Sequence, residues 1–491
     1  MVIVWFVLCL NLGVPESPAA SQPPSYEELL AQNAQLQAGL AAAIGRIEEL
    51  EARLGMTSKN SSKPPSSDGL GKPAPKSLRK KSNRGPGRPK GQDGRTLSQV
   101  DDPDRVVPHE PGVCCGCGGD LGGAPVVGVE QRQVLDLPAL RLLVTEHQLI
   151  SRVCSCGTVT KAQAPAGVLA PVQYGSRIAG IGVYLLHGQF LSKNRTVAAL
   201  ADLFGASIAG NTLVSWTQRI AAQVTDRVIG VITERIAGSA VAHFDETGFR
   251  TAGKLHWMHS ASTPTDVLLS VHANRGVKGM NAAGVLPRFR GTAVHDAWAP
   301  YDTFTQATHA LCNAHALREL VYVVDTAPTP VATLATQAID AMLAIKDLST
   351  QIHTPAETTQ APADLGDLTA RRDKQTRLLR SALVLGKSAT AARATKLEAK
   401  YHALFTRMIT RWADYQRFAH DPAVPWDNNP AEQTIRMPKL RTKVSGCLRT
   451  LTGAEEFAAI RTYTATAIRH GHNALDVLID AADGHPWIPA T

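Results

Sequence analysis

Val241-Ala-His-Phe-Asp245, followed at once by Glu246-Thr-Gly248, marks the change from a helical to a strand-like pattern. The run is apolar and aromatic, and it closes on a carboxylate. Lys254 to Ser262 and Asp266 to His272 read as two further strands joined by short turns. A helix is expected from about Lys278 to Leu286. Gly291-Thr-Ala-Val-His-Asp296 reads as a fourth strand ending in a second carboxylate, and Thr308 to Cys312 as a fifth.

Three antiparallel-type strands, a crossover helix and two more strands is the order of a ribonuclease H-like fold. In that fold the ends of the first and fourth strands lie side by side, so Asp245 and Asp296 are expected to face each other. The alternative is that each aspartate merely ends a strand in solvent. Two adjacent carboxylates repel unless a cation sits between them. Hard oxygen ligands with open positions suit Mg²⁺. A two-metal site of this kind activates a water or a 3′-hydroxyl on one side of a phosphodiester and stabilises the leaving oxygen on the other.

A third acid lies far downstream, in Trp426-Asp-Asn-Asn-Pro-Ala-Glu432. Asp427 or Asn428 can cap a helix there, Pro430 fits its first turn, and Glu432 falls inside it. Arg436 is four residues on and shares a face with Glu432, as a DNA contact or as an ordinary surface ion pair. Lys439, Arg441, Lys443 and Arg449 follow, a basic run suited to holding DNA across the metals.

The remainder of the chain supports a nucleic-acid partner. Its 491 residues are 44% hydrophobic and 19% charged, which excludes a mainly disordered chain and suggests about three domains. Between Lys59 and Arg95 eleven basic residues oppose only Asp68 and Asp93, a net +9 that equals the charge of the whole chain. A neutral body with one basic strip points to a polyanion, the alternative being a linker charged for solubility. Within the strip lie Arg79, Lys80, Lys81 and Arg84, then Gly85-Pro-Gly-Arg-Pro-Lys-Gly91. Arg88 and Lys90 there sit on a chain narrow enough for a minor groove.

Upstream, Tyr26, Leu29, Asn33, Leu36, Leu40, Ala43, Ile47, Leu50 and Leu54 keep a 3–4 repeat. That repeat predicts a coiled coil with a buried amide at Asn33, opened by a Ser25–Glu28 capping box. Self-association is favoured over a helix packed on its own body. Met1 to Val14 is apolar, but it has no basic residues before it and is too short to span a bilayer. It reads as a misassigned start or a tail.

Eight cysteines in so long a chain are no disulfide scaffold. Cys114-x2-Cys117 and Cys154-x-Cys156, with Cys115 in reserve, are joined by an alternating run from Val126 to Leu149. Two thiolate pairs joined by a hairpin predict structural Zn²⁺, the alternative being reduced structural cysteines, and the closed four-thiolate set predicts no catalysis there. Thr196 to Gln218 has a helix-turn-helix look, with Gly205 at the turn. It reads equally as a DNA-reading pair or a packing unit.

Taken in order, these motifs resemble the insertion-sequence-66 transposases of the DDE group. The carriers are Asn60-Ser-Ser-Lys-Pro-Pro-Ser-Ser-Asp-Gly69, the cysteine pairs, Phe244-Asp-Glu-Thr-Gly248 and His295-Asp-Ala-Trp-Ala-Pro-Tyr301. Leu311-Cys-Asn-Ala-His-Ala-Leu-Arg-Glu-Leu320 and Asp427-Asn-Asn-Pro-Ala-Glu432 complete the set. Gln433 and Lys443-Val-Ser-Gly-Cys447 depart from commoner versions. The resemblance implies that Asp245, Asp296 and Glu432 are the catalytic acids, with Cys312 and His315 matching a Cys-x2-His element near the site, or forming a buried core pair. Trp298 and Tyr301 line the DNA path or pack under the strand end.

The expected fold is multidomain and mostly α, with an α/β ribonuclease H-like core interrupted by a helical insertion. It divides into an apolar, disordered tail (1–24), a coiled coil (25–56), a basic disordered linker (57–100) and a small β zinc-binding domain (101–170). A helix-turn-helix-like domain (171–238) precedes the first part of the core (239–325). The insertion (326–424) and the core completion with C-terminal helices (425–491) follow. The implied activity is DNA cleavage and strand transfer at terminal inverted repeats, with two Mg²⁺ ions or Mn²⁺ as substitute. A DNA-binding regulator without catalysis, or a nuclease that cannot join strands, are the alternatives. The expected partners are terminal-repeat and target DNA, further copies of the chain, and small accessory proteins encoded beside it. No membrane is implied, and the expected location is the cytoplasm, at the nucleoid.

Overall fold

The computed structural model describes residues 25–56, 60, 97–354 and 365–490. The apolar tail and nearly all of the basic linker, including Arg79, Lys80, Lys81, Arg84, Arg88 and Lys90, lie outside the described residues.

Helix α1 (Tyr26–Leu54) comes first, then two short strands, β1 (Ser151–Val153) and β2 (Val159–Lys161). Helices α2 (Ser176–Val183), α3 (Lys193–Phe204), α4 (Gly210–Val224) and α5 (Gly230–Ala237) follow, with a π-helical turn at Tyr184–Gly188. Next come β3 (Val241–Thr251), β4 (Lys254–Ser262), β5 (Val267–His272), α6 (Val277–Ala282), β6 (Thr292–His295) and β7 (Thr308–Leu311). The chain continues through α7 (Asn313–Thr326), α8 (Thr329–His353), α9 (Leu365–Ala389), α10 (Lys396–Thr410) and α11 (Trp412–His420). It ends with α12 (Asn429–Ser445), α13 (Leu451–Arg469) and α14 (Ala474–Ala482).

These elements form two compact units, Met1–Pro75 with His309–Asp427, and Lys76–Thr308 with Asn428–Thr491. In the first, every described element after the end of β7 is a helix. The sequence reading began the insertion at residue 326. The boundary between the two compact units falls at His309, and α7 packs along α8. Arg407 holds both carboxylate oxygens of Glu319 at 2.8 Å, tying α10 to α7. Helix α1 opens with the expected capping box: Ser25 Oγ accepts from the Glu28 amide, and Glu28 accepts from the Ser25 amide. Its seam residues Tyr26, Leu29, Leu36, Leu40, Ile47, Leu50 and Leu54 are exposed, whereas Ala52 near its end is buried. Asn60 donates to the Gly55 carbonyl at 3.1 Å and to Asp325 at 3.0 Å, which fastens the end of α1 to α7.

The second unit is built on a mixed five-stranded sheet of order β5-β4-β3-β6-β7. Strands β3 and β4 pair antiparallel across a two-residue turn, Ala252 and Gly253, both at positive φ (49° and 76°). That backbone twist suits a tight hairpin. Strand β4 pairs antiparallel with β5, and β3 parallel with β6. β5 is an edge strand, and α13 covers it: Thr466 and Thr462 hydroxyls accept from the Val267 and Leu269 amides at 3.1 and 2.8 Å. Satisfying edge amides from a helix blocks a further strand from adding there. The main core joins α2, α4 and α5 to the sheet and α13, with Ile220, Ile232, Phe289 and Tyr463 fully buried. A Cβ on Gly180 would stand 2.7 Å from Ile479, so the close approach of α2 to α14 requires glycine there. Gly205, at φ 67°, turns α3 into α4, and Leu200, Leu213 and Trp216 bury the inner faces of that pair.

The region of the cysteines departs from expectation. The run from Val126 to Leu149 forms no strand, and Val127, Leu143 and Val144 are exposed. Alternation prepares two faces, but a strand needs a backbone ladder, and residues 99–100 meet this run through the side chains of Gln99 and Gln133 instead. The pairing that does form is β1 with β2, just after it.

Candidate functional site

The site begins where β3 loses one neighbour. Its parallel register with β6 runs Val241↔Thr292, Ala242↔Ala293, His243↔Val294. The same offset carries Asp245 opposite Asp296, on strands spaced about 4.8 Å apart. The sequence reading ended the first strand at Asp245. The strand in fact continues to Thr251, because β4 goes on pairing with it after β6 has stopped at His295. Asp245 therefore stands at an opened sheet edge.

Alternation places His243 and Asp245 on one face of β3, and Phe244 and Glu246 on the other. Phe244 is buried and packs edge-on against Phe289 at 5.4 Å. On the His243 face lies the start of α12. Asn428 precedes that helix but does not cap it. Its side-chain Nδ2 donates to the Phe244 carbonyl at 2.7 Å, and its Oδ1 meets His243 Nδ1 at 2.9 Å. Glu432 follows one turn later, its amide bonded to the Asn428 carbonyl at 3.2 Å.

The acids act on one another electrostatically. Burial pushes the Asp245 carboxyl well above its ordinary range, and Glu246, Asp296 and Glu432 add to the shift. Asp245 accepts from the Glu246 amide at 2.8 Å, and Asp296 Oδ1 accepts from the Trp298 amide at 3.1 Å. Lys439 lies in the same field: burial lowers its pKa, while Asp245 and Glu432 pull it the other way. Arg436 reaches Glu432 at 4.0 Å from an exposed position. Lys443 and Arg449 are exposed, whereas Arg441 is half-buried and donates to the Gly446 carbonyl at 2.9 Å.

Sequence reasoning missed the support behind this edge. Glu246 is buried and accepts from the Tyr301 hydroxyl at 2.7 Å and from Arg275 Nε at 2.9 Å. The Arg275 guanidinium lies 3.9 Å from the Trp298 ring centre and 5.0 Å from that of Trp257. Tyr301 is buried and stacks on His295 at 4.3 Å. Tyr301 thus packs under the strand end. Trp298 is partly covered by Arg275. The available signal was a second acid directly after Asp245, which alternation sends into the interior.

Cys312 and His315 lie in the other compact unit, at the start of α7. Cys312 is buried, and burial with Arg318 and Arg407 nearby lowers His315 to about 3.

The four zinc-candidate thiols form two similar turns. The Gly118 amide donates to the Cys114 carbonyl at 2.8 Å, and Gly157 to Cys154 at 2.8 Å, with both glycines at positive φ (74° and 86°). Hydrogen bonds from the Cys117 and Gly116 amides lower the Cys114 thiol, and the Thr158 hydroxyl and amide lower Cys156 to about 7. Each turn favours thiolate, as a zinc ligand requires. Among the described residues the two turns do not come close enough to share an ion.

Comparison with known families gives two matches. The model described as Transposase IS66 family covers residues 171–456, more than half of the chain. One described as a family of unknown function (DUF6444) covers residues 15–98. No curated protein matches the chain.

Proposed function

The chain belongs to the IS66 transposase family, and from that premise we propose that it cuts and joins DNA at Asp245, Asp296 and Glu432. The observation that carries the reading is the β3–β6 register that sets Asp245 opposite Asp296, with the start of α12 bonded to β3 beside them. Three acids this close resist joint ionisation unless a cation offsets them. Three carboxylates fit Mg²⁺, with Mn²⁺ as substitute. Two such ions would polarise the scissile phosphate and make the attacking hydroxyl more acidic.

The protein's own groups do the rest. Asn428 holds α12 against β3, so Glu432 meets the aspartates in one geometry. The buried Glu246–Tyr301–Arg275 network stiffens the strand end behind Asp245. Lys439 and Arg436 stand beside the acids and suit the flanking phosphates. In the first step water attacks the phosphorus at the element end, and the 3′-oxygen leaves with a proton as a hydroxyl. In the second, that hydroxyl attacks a target phosphodiester and loses its proton, and the target's 3′-oxygen leaves. The number of phosphodiester bonds is conserved in the second step, so joining needs no external energy source.

The same reading assigns the exposed seam of α1 to self-association and the cysteine turns to structural zinc. It assigns terminal inverted repeats and target DNA as ligands, with small companion proteins as assembly partners. No described helix is long and apolar enough to cross a membrane, and the proposed place of action is the nucleoid.

The test uses DNA carrying the gene's own flanking ends, Mg²⁺, and wild-type protein beside Asp296→Ala. Cutting at the ends with joining to a second duplex, absent in the variant, supports the proposal. Binding without cutting by either protein would favour a DNA-binding regulator. Cutting without joined product would favour a hydrolytic nuclease.

A further inference from the structure

The α3–α4 pair has a packed side and an open side. Five residues, Gly205 to Ala209, join the two helices. Thr196 and Leu200 of α3, Ala206 and Ile208 of the turn, and Leu213 and Trp216 of α4 are buried. Tyr174 braces the turn: its ring meets Trp216 edge-on at 5.7 Å, and its hydroxyl donates to the Ser207 carbonyl at 2.9 Å. Helix α2 closes the back. A Cβ on Gly182 would stand 3.1 Å from Leu213 Cδ1 and 3.2 Å from the Trp216 ring. Three helices in such close contact make a rigid mount for whatever α4 carries on its other face.

That face is Asn211, Val214, Ser215, Gln218, Arg219 and Ala222, all exposed and spaced as one helical stripe. It carries no carboxylate, and neither does any other residue from Gly210 to Val224. Gln218 is taken up by a hydrogen bond to Glu456 of α13. Asn211, Ser215 and Arg219, four residues apart, form a straight line along the helix. An amide, a hydroxyl and a guanidinium are the groups that pair with base edges: Asn with adenine, Arg with guanine, Ser with either.

The start of α3 supplies charge beside this line. Lys193, Asn194 and Arg195 are exposed there, in a first turn capped by Ser192, whose Oγ accepts from the Arg195 amide. The Lys193 stem lies on the first residue of α4: a Cβ on Gly210 would stand 3.2 Å from Lys193 Cε. The acids nearest in sequence, Asp202 and Asp226, fall toward the end of α3 and beyond α4. Cations at the entry of the pair, with a polar, acid-free face behind them, complement a polyanion whose interior is read by hydrogen bonds. We propose that α4 lies in the major groove of duplex DNA, with Asn211, Ser215 and Arg219 on base edges and Lys193 and Arg195 on the flanking backbone. The proposal rests on the function inferred above and names the helix that recognises the terminal DNA.

The experiment measures binding of the full chain, without Mg²⁺, to labelled duplexes: the flanking ends, the same ends with single base-pair changes, and a random sequence. Wild type should favour the ends. Asn211→Ala and Arg219→Ala should each reduce that preference about tenfold, and each should lose discrimination at one base pair. Lys193→Gln should weaken binding to every duplex alike and lower the slope of log affinity against log salt by about 0.9. Tm should hold in all three variants, because the residues are exposed. Wild-type discrimination in both Ala variants would overturn the proposal. So would an equal loss of affinity for every sequence in both, or a loss of preference accompanied by a fall in Tm. Mg²⁺ is then added to the wild type and the flanking ends. Cutting there, with discrimination unchanged in the variants, would remove α4 from recognition and leave the catalytic reading standing. Discrimination lost in the variants, with no cutting by wild type, would support α4 as the reader and count against the catalytic reading alone.

Discussion

Asn428 donates from its side-chain amide to the backbone oxygen of Phe244 at 2.7 Å, joining the helix that carries Glu432 to the strand that carries Asp245. Its Oδ1 makes a second contact with His243. The residue is buried, so neither bond is shared with solvent. Asn428→Ala removes both and leaves a buried carbonyl unpaired, at a cost of about 2–4 kcal/mol. Displacement of Glu432 by even 1 Å should slow cleavage about a hundredfold. Thermal unfolding and end-cleavage rates of the variant check this. Unchanged cleavage in a folded Asn428→Ala protein would remove Asn428 from the positioning of the site.

Behind the opposite face, Glu246 holds Tyr301 and Arg275 at once. Glu246→Ala leaves the Tyr301 hydroxyl buried and Arg275 without its carboxylate. The expected loss is about 3 kcal/mol, the low end for a broken buried pair because Arg275 is partly exposed. Glu246→Gln keeps an acceptor for Tyr301 and should lose less. Tyr301→Phe should lose about 1 kcal/mol. Denaturant unfolding of the three variants tests the order, and equal losses would mean that the network does not hold this edge.

Much of the site was legible because β-structure has a strict period. Val241 to Asp245 announces a strand and a carboxylate, Gly291 to Asp296 does so again, and strand order makes them neighbours. What was not legible depends on contacts between distant segments. Asn428 looks like a helix cap until its side chain is seen to prefer β3, 184 residues away from it in the chain. Glu246 looks like one acid of a pair until Tyr301 and Arg275 close over it. The run from Val126 to Leu149 shows the converse failure, since alternation alone did not supply a strand partner.

His187 predicts a pH dependence of stability. Burial, helped by Arg441 and Arg461, lowers it to about 3 from an ordinary value of 6.5. The folded state therefore keeps it neutral, while the unfolded chain takes up a proton below 6.5. Its contribution is fully present above pH 6.5 and is lost as pH falls toward 3. At pH 5 the loss is about 2 kcal/mol. His315, lowered to about 3 in the other unit, should add a similar slope. Denaturant unfolding between pH 5 and 7 should show His187→Leu with a shallower dependence than wild type. An identical slope would mean that His187 does not stay neutral in the fold.

The covered edge of the sheet makes a local stability prediction. Leu269 donates to Thr462 Oγ1 at 2.8 Å from a buried backbone amide. Thr462→Val keeps the shape of the side chain and removes the acceptor. The expected cost is about 1–3 kcal/mol, against less than 1 kcal/mol for Thr462→Ser. Unfolding curves for the pair separate a lost hydrogen bond from lost packing. A Val variant as stable as wild type would mean that the amide finds another acceptor.

The cysteine turns support a final prediction about metal. Cys114–Cys117 and Cys154–Cys156 have the same Gly-closed geometry, and in each turn one thiol is biased toward thiolate. Two preformed half-sites become one tetrahedral site if the intervening chain brings them together, and zinc would repay that ordering. Reduced, metal-free protein should take up one Zn²⁺ per chain and release protons as it does so. Replacement by Co²⁺ should give the absorption of a tetrahedral thiolate site. Zinc should also increase the strand content of residues 126–149, measurable as slowed amide exchange, because joining the turns aligns the two ends of that run. Cys154→Ser with Cys156→Ser should abolish uptake while leaving the unfolding of the main core unchanged. Zinc uptake undiminished in that double variant, or none in the fully reduced wild type, would separate these turns from any structural metal.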